Sequence, residues 1–262
     1  MQFGMPTLLE NGTAESCAEL CHELGLAFIE LNMDLPEYQT NLLDIDKLRQ
    51  IADNFGLFYT IHLSGFLNPC DFNDKVAAIY TEIVLDTIKA AKLLAVPVLN
   101  MHLPLGDKFT MPDGKVYLYD IYEPDYIQKL TAFRDVCTAA LIDADMKICV
   151  ENTGTFQQRF GAEGLSVLLE SPAFAVTLDI GHDAANDFKQ YPTIEQHIER
   201  LHHMHMHDAK EKDNHLPLGV GNLDLIKYLN LAKAHDCRIV VEVKTVDGLR
   251  QSVKWLKERG YL

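Results

Sequence analysis

The chain has 262 residues, enough for one large core and the usual length of a single α/β barrel. With 48% hydrophobic and 23% charged residues it has the balance of a globular chain, and no apolar run approaches the ~20 residues that span a bilayer. Its 38 acidic against 23 basic residues give a formal charge of −15, which repels a phosphate backbone and excludes a surface built for nucleic acid unless bound cations reverse the field locally.

The opening Met1-Gln2-Phe3-Gly4-Met5-Pro6 has no basic stretch ahead of an apolar core, so no secretory leader is expected and the cytoplasm is the expected compartment. Short β-branched runs then alternate with amphipathic stretches. The candidate strands are Gln2–Met5, Ala27–Leu31, Phe58–Leu63, Val98–Leu103, Lys147–Glu151, Ala175–Leu178, His203–Met206 and Ile239–Glu242. Between the first of them, Cys17, Leu20, Cys21 and Leu24, then Leu48, Ile51, Ala52 and Phe55, then Val76, Ile79, Tyr80, Ile83, Val84 and Thr87 fall at helical spacing. Gly25 and Gly56 stand where left-handed C-terminal caps belong. Later helices are expected over Asp125–Ala144, Ala162–Leu169, Thr193–Arg200, Leu223–Ala234 and Asp247–Arg259. The connection from Pro104 to Glu123 is long and aromatic, with a Met111-Pro112-Asp113-Gly114 turn, and reads equally as a binding loop or a surface hairpin. No linker or composition shift divides the chain. Eight such units therefore predict one domain over residues 1–262, an α/β fold with a parallel eight-stranded (β/α)8 barrel. Six cysteines without a C-x-x-C pair read as reduced thiols packed as small hydrophobes.

In such a barrel the chemistry stands at the C-terminal ends of strands. Nine potential metal ligands, His62, His102, Glu151, Asp179, His182, His205, Asp213, His215 and Glu242, nearly all sit where an apolar run ends. Mixed imidazole and carboxylate donors suit Zn, Mn or Fe as divalent ions, and a carboxylate can bridge two of them. Nine donors suffice for two or three ions, the arrangement of phosphoester hydrolysis, in which metal ions activate water and stabilise the leaving oxygen. His203 and His207 alternate with His205 along one strand face. His207 is a candidate either to orient His205 or to touch substrate, and Asn152 and Lys210 are candidate substrate contacts. His22, His197 and His235 fall within helices and read as structural.

The runs Ile148-Cys149-Val150-Glu151-Asn152-Thr153-Gly154, Leu178-Asp179-Ile180-Gly181-His182, His205-Met206-His207-Asp208-Ala209-Lys210 and Asp213-Asn214-His215-Leu216-Pro217-Leu218-Gly219-Val220-Gly221 resemble, in order, the motif series of endonuclease IV. That family belongs with the sugar isomerases and epimerases to the xylose isomerase-like TIM-barrel superfamily. The resemblance implies one ion on His62, His102 and Glu151, a second on Glu151, Asp179, His205 and Glu242, and a third on His182, Asp213 and His215. It also implies a metal-bound hydroxide as nucleophile, oriented by Glu242. The chain departs from the family in Asn32-Met33-Asp34-Leu35-Pro36-Glu37-Tyr38, which has no Lys or Arg to grip DNA, and in a first strand without the family's opening histidine. Duplex DNA is therefore disfavoured as partner, and a small phosphorylated or sugar-derived substrate is expected. The superfamily's sugar epimerases resemble the chain in a smaller set, Glu151, Asp179, His205 and Glu242 about one ion, with Glu151 and Glu242 as the acid-base pair acting on opposite faces of a ketose. Glu30, in Phe28-Ile29-Glu30-Leu31, is similar to the epimerases and is a further candidate substrate contact. Two expectations follow: a multinuclear metal phosphoester hydrolase first, a one-metal sugar isomerase or epimerase second.

Overall fold

The computed structural model describes residues 1–262. The chain runs through strand β1 (Gln2–Pro6), helix α1 (Ala14–Leu24), β2 (Phe28–Asn32), α2 (Ile45–Phe55), β3 (Phe58–His62), α3 (Asp74–Leu93) and β4 (Val98–His102). Two short strands, β5 (Lys108–Met111) and β6 (Gly114–Tyr117), and helix α4 (Leu118–Ile121) precede α5 (Glu123–Ala140), β7 (Lys147–Glu151), α6 (Arg159–Leu169) and β8 (Phe174–Asp179). There follow α7 (Ile180–Ala185), α8 (Tyr191–Glu195), β9 (Leu201–Met206), β10 (Asp208–Lys210), β11 (Asp213–Leu216), α9 (Leu225–Ala234), β12 (Arg238–Val241) and α10 (Val246–Lys257). Eight strands close into a parallel barrel in the order β1, β12, β9, β8, β7, β4, β3, β2. This is the (β/α)8 architecture expected from the alternation of strand and helix.

Local chemistry explains the element boundaries. Thr13, Asp44, Asn73, Asp224 and Thr245 each accept a backbone N–H of the first turn of α1, α2, α3, α9 and α10, satisfying donors that a helix start leaves unpaired. Gly25 (φ 79°) and Gly56 (φ 64°) end α1 and α2 in the left-handed conformation that glycine adopts without strain. The apolar stripe of α1 (Cys17, Ala18, Leu20, Cys21, Leu24) and that of α2 (Leu48, Ile51) are buried in one core cluster with the outward faces of the strands. All six cysteines are free and buried. No helix is long and apolar enough to cross a membrane.

The barrel lumen changes character along its axis because side chains at i and i+2 share a strand face. At the floor, Val98, Cys149 and Ala175 form a small apolar cluster separate from the main core, and Phe28 lies so close to Gly4 that a Cβ there would come within 2.4 Å of its ring. Two residues after Phe28, Val98 and Ala175 come Glu30, Asn100 and Thr177, joined by Thr60 of β3 and His203 of β9, all buried. Two further still come His62, His102, Asp179 and His205, joined by Glu151, two residues after Cys149 on β7. The apolar floor excludes water and holds the polar layers above it in fixed rotamers, which is what a site of buried charges requires.

Two segments differ from expectation, and the connection after β4 takes one of its two expected forms. The stretch Thr193–Arg200 is not one helix: α8 spans Tyr191–Glu195, with Pro192 at its start, and a separate 3-10 turn covers Ile198–Arg200. Arg200 accounts for the break, since its guanidinium is drawn to the carbonyls of Leu169 and Ser171, both at 2.8 Å, and of Phe174. Helix α7 is an addition, started by Asp179, whose Oδ1 accepts the His182 N–H at 2.7 Å. The aromatic connection after β4 is an exposed hairpin, β5 with β6, anchored by the buried Tyr119 packed on Gly106.

Candidate active site

Four carboxylate and imidazole side chains from neighbouring strands meet at the mouth. Glu151 ends β7, Asp179 ends β8, His205 lies on β9 and Glu242 follows β12, and parallel pairing aligns them, Asp179 opposite His205 and Val240 opposite His205. Glu151, Asp179 and His205 are at most 1% exposed. His205 Nδ1 lies 3.0 Å from Glu242 Oε2, 3.4 Å from Glu151 Oε2 and 4.0 Å from Asp179 Oδ2. Neither His205 Nδ1 nor Glu242 Oε2 has a hydrogen-bond partner, although both are buried. Polar atoms that face one another without a well-directed hydrogen bond point at a common centre.

Further imidazoles surround this set. His62 Nε2 and His102 Nε2 stand 3.3 and 3.4 Å from Glu151 Oε2. His62 Nδ1 donates to the Leu63 carbonyl at 2.7 Å, and against burial Glu151 beside Nε2 holds the ring above its ordinary pKa, so a proton or a cation belongs between that nitrogen and the carboxylate. His182 Nδ1 is 3.2 Å from Glu151 Oε1 and 3.3 Å from Asp179 Oδ2. His215, whose backbone sits at φ 55°, brings Nε2 to 3.2 Å from Glu242 Oε1, where Lys244 Nζ also arrives at 2.7 Å.

The electrostatics follow from burial of so many charges. Burial alone would raise the carboxyl pKa values, yet His205 and His102 around Glu151, His205 around Glu242, and His182 and His207 around Asp179 outweigh it and hold all three below the usual range. Conversely, burial would lower His205, but Glu151, Glu30 and Glu242 hold it well above its ordinary value, and His182 is pushed up to about 10 against burial by Asp179 and Glu151. His215 stays below its ordinary value, through burial, despite Glu242. We therefore read its contact with Glu242 as that of a neutral imidazole.

Each expected residue has a definite place. His62, His102, Glu151, Asp179, His182, His205, His215 and Glu242 are brought together, and ligand atoms of His62, Glu151 and His205, of Glu151, Asp179 and His182, and of Asp179, His205 and Glu242 lie within 4.8 Å of one another. Asp213 is not among them: it begins β11, is exposed, and pairs with Lys210 across the β10–β11 hairpin, so Lys210 is also exposed at that outer edge. His207 is buried with both nitrogens engaged, Nε2 donating to Asp179 Oδ2 at 3.2 Å and Nδ1 accepting the His215 N–H at 2.7 Å, and its ring stacks on that of His215 at 4.2 Å. Asn152 is buried between strands, donating to the Asp179 carbonyl (2.9 Å) and Gln190 Oε1 (2.7 Å) and accepting the Asp179 N–H (2.7 Å). It braces Asp179 rather than facing the mouth. Glu30 lies one layer deeper, against Thr60, His203 and His205.

Four supporting residues went unnoticed in sequence. Asn100 donates to Glu151 and accepts from Thr177 Oγ1 at 2.6 Å, Thr60 donates to Glu30 at 2.9 Å, and Lys244 holds Glu242. Asn100, Thr60 and Thr177 each stand two residues before a mouth residue, the available signal being a polar side chain within an otherwise apolar strand.

The donor set fits a divalent cation. Oxygen and nitrogen ligands at ~2.0–2.2 Å from one ion lie no more than ~4.4 Å apart, near the spacing found here with little adjustment. Several buried carboxylates concentrated at one point would be costly without a compensating charge.

Comparison with known proteins accords with this architecture. The family described as Xylose isomerase-like TIM barrel matches residues 18–259. An uncharacterized protein of Methanocaldococcus jannaschii is 21% identical over 219 residues, 80% of this chain and 76% of its own. Among solved structures, a D-tagatose 3-epimerase-like protein superposes with a TM-score of 0.80 at 24% identity, covering 98% of this chain and 96% of that one. A 3-keto-D-glucoside 4-epimerase from E. coli gives 0.76 at 13% identity over 98% and 99% of the two chains. The IolI protein with a bound zinc atom gives 0.73 at 17% identity over 100% and 98%. At these identities the likeness is one of fold.

Proposed function

We propose, from the premise that this chain belongs to the xylose isomerase-like TIM-barrel family, that it is a divalent-metal-dependent isomerase or epimerase acting on a small sugar-like ketose. The observation that carries this reading is the pair of carboxylates, Glu151 and Glu242, that approach one imidazole nitrogen, His205 Nδ1, from β7 and from the end of β12 with β8 and β9 between them. The printed names of the solved epimerases with this fold, and of the zinc-binding IolI protein, support the same class.

A divalent ion held by Glu151, Asp179, His205 and Glu242 would supply Lewis-acid polarisation of the substrate carbonyl. The protein's own contribution is proton transfer and exclusion of water. Glu242, kept ionised chiefly by His205 and also by Lys244 at its Oε1, takes the proton from the carbon beside the carbonyl as that C–H electron pair moves toward the carbonyl oxygen. Glu151, ringed by the imidazoles of His62, His102 and His182, delivers a proton to the opposite face of the same carbon and is itself resupplied from them. One C–H bond is broken and one formed, and the stereocentre inverts. The buried floor keeps bulk water from quenching the carbanion.

The multinuclear hydrolase remains a second reading because His62 and His102 both close on Glu151, more donors than one ion uses. Its third ion, however, would rely on Asp213, which stands exposed in the hairpin. Incubation of Mn²⁺-loaded protein with a panel of ketopentoses and ketohexoses in D₂O tests the choice. Deuterium in an epimerised or isomerised sugar is the expected result. Release of phosphate from sugar phosphates, or nicking of abasic duplex DNA, without such exchange would overturn it. About one ion per chain by metal analysis is expected for the isomerase or epimerase, and two or three for the hydrolase.

A further inference from the structure

Beneath the four donors lies a buried carboxylate and imidazole set that no proton-transfer step uses. Glu30 projects from β2 into the lumen at 3% exposure, and His203 projects from β9 at 0%. Glu30 Oε2 accepts from Thr60 Oγ1 at 2.9 Å and from His203 Nε2 at 3.0 Å. Its other oxygen, Oε1, lies 2.8 Å from His205 Nε2, which makes no well-directed hydrogen bond, so that contact acts through charge. Both carboxylate oxygens thus lie against protein groups. His205 is therefore bracketed, with Nε2 on Glu30 and Nδ1 among the carboxylates of the mouth.

A neutral imidazole carries its proton on one nitrogen and its lone pair on the other, and a carboxylate against one nitrogen decides which. We propose that Glu30, braced by Thr60 and His203, is a positioning residue that holds the His205 proton on Nε2 and so presents the Nδ1 lone pair to a divalent cation. The inference rests on reading Glu151, Asp179, His205 and Glu242 as the ion's ligands. It changes the role expected for Glu30 from touching substrate to orienting a ligand from the far side, as carboxylates commonly do behind metal-bound histidines. His203 is thereby assigned to the same unit: together with Thr60 it holds Oε2, which leaves Oε1 turned toward His205.

The test uses the full chain and Mn²⁺ alone as probe. In Glu30→Gln, Mn²⁺ affinity measured by titration calorimetry should fall about 10–100-fold. In the metal-free protein, at a pH high enough to leave the His205 ring neutral, ¹⁵N shifts of labelled histidine should move His205 away from a single Nε2–H tautomer, and Thr60→Val should shift both quantities in the same direction by less. If Glu30→Gln does not fold, Glu30→Asp, which keeps the charge but withdraws it by one methylene, replaces it with the same expected direction. Unchanged Mn²⁺ affinity together with an unchanged tautomer overturns the proposal, as does a fall in melting temperature that leaves the tautomer in place. Wild-type protein that binds no Mn²⁺ would refute the ion site itself, while the tautomer measurement still decides the role of Glu30.

Discussion

At the residue scale, His207 shows how a buried side chain with both nitrogens engaged can shape a site. Its Nε2–H is given to Asp179 and its Nδ1 receives the His215 backbone, so one neutral ring fixes the orientation of the Asp179 carboxylate and the path of the loop bearing His215. Gly181 is what admits it: a Cβ there would sit 1.9 Å from His207 Cε1. Gly181→Ala should therefore push the ring off Asp179, cost about 1–3 kcal/mol of stability in urea denaturation through overpacking, and weaken Mn²⁺ binding. Mn²⁺ affinity equal to wild type would remove His207 from the ion site. The alternation His203, His205, His207 was legible in sequence as one strand face, but not the division of labour along it. His203 lies a layer deeper, His205 faces the mouth, and His207 stands beyond the end of β9, and only the register of β9 against β8 and β12 separates them. Lys244 carried no signal at all, since an exposed lysine after a strand is ordinary until its partner is known.

At the element scale, the loop from Asp208 to Leu223 carries His215 and hangs on one buried side chain. The Asp208 carboxylate accepts the backbone N–H groups of Ala209 (2.9 Å), Gly219 (3.0 Å) and Leu223 (3.1 Å), while Gly221 packs where a Cβ would lie 2.3 Å from Asp208 Oδ1. Asp208→Ala leaves those donors unpaired, at about 1–3 kcal/mol for each that stays dry, and should make residues 209–222 the first site of limited proteolysis. Cleavage that begins elsewhere, with unchanged stability, would contradict this anchoring. The barrel strands and their helices were legible because each repeats its apolar period over enough residues to be read. Helix α7 was not, because it spans six residues and its start is set by Asp179, a residue whose capping role is hidden behind its place in the ligand set. Asp213 was misplaced for a related reason. The left-handed backbone of Glu211 and of His215 turns the hairpin so that His215 points inward while Asp213 points out, a geometry that spacing alone does not encode.

At the scale of the whole molecule, the two ends of the barrel respond to protons in opposite senses. At the floor, His202 is lowered from 6.5 to about 4 by burial, then by Arg238 and His203. The unfolded chain binds this proton more readily than the folded one, so the contribution of His202 to stability is present above pH 6.5 and is lost as pH falls toward about 4. His202→Asn should accordingly flatten the decline in melting temperature over that interval, and an acid limb identical to wild type would show that His202 plays no part. At the mouth the sign reverses. His182, raised from 6.5 to about 10, contributes stability that is complete below pH 6.5 and is lost as pH rises through about 10. A cation entering the mouth must displace such protons, because a ligating imidazole gives its lone pair to the ion. Stabilisation by Mn²⁺, about 2.7 kcal/mol at a hundredfold excess over the dissociation constant, should therefore grow between pH 6 and pH 8, and calorimetry in buffers of different ionisation enthalpy should register released protons. A Mn²⁺-dependent rise in melting temperature that is the same at both pH values would mean that the ion sits apart from these imidazoles, and the mouth would have to be read as a hydrogen-bonded polar cluster instead.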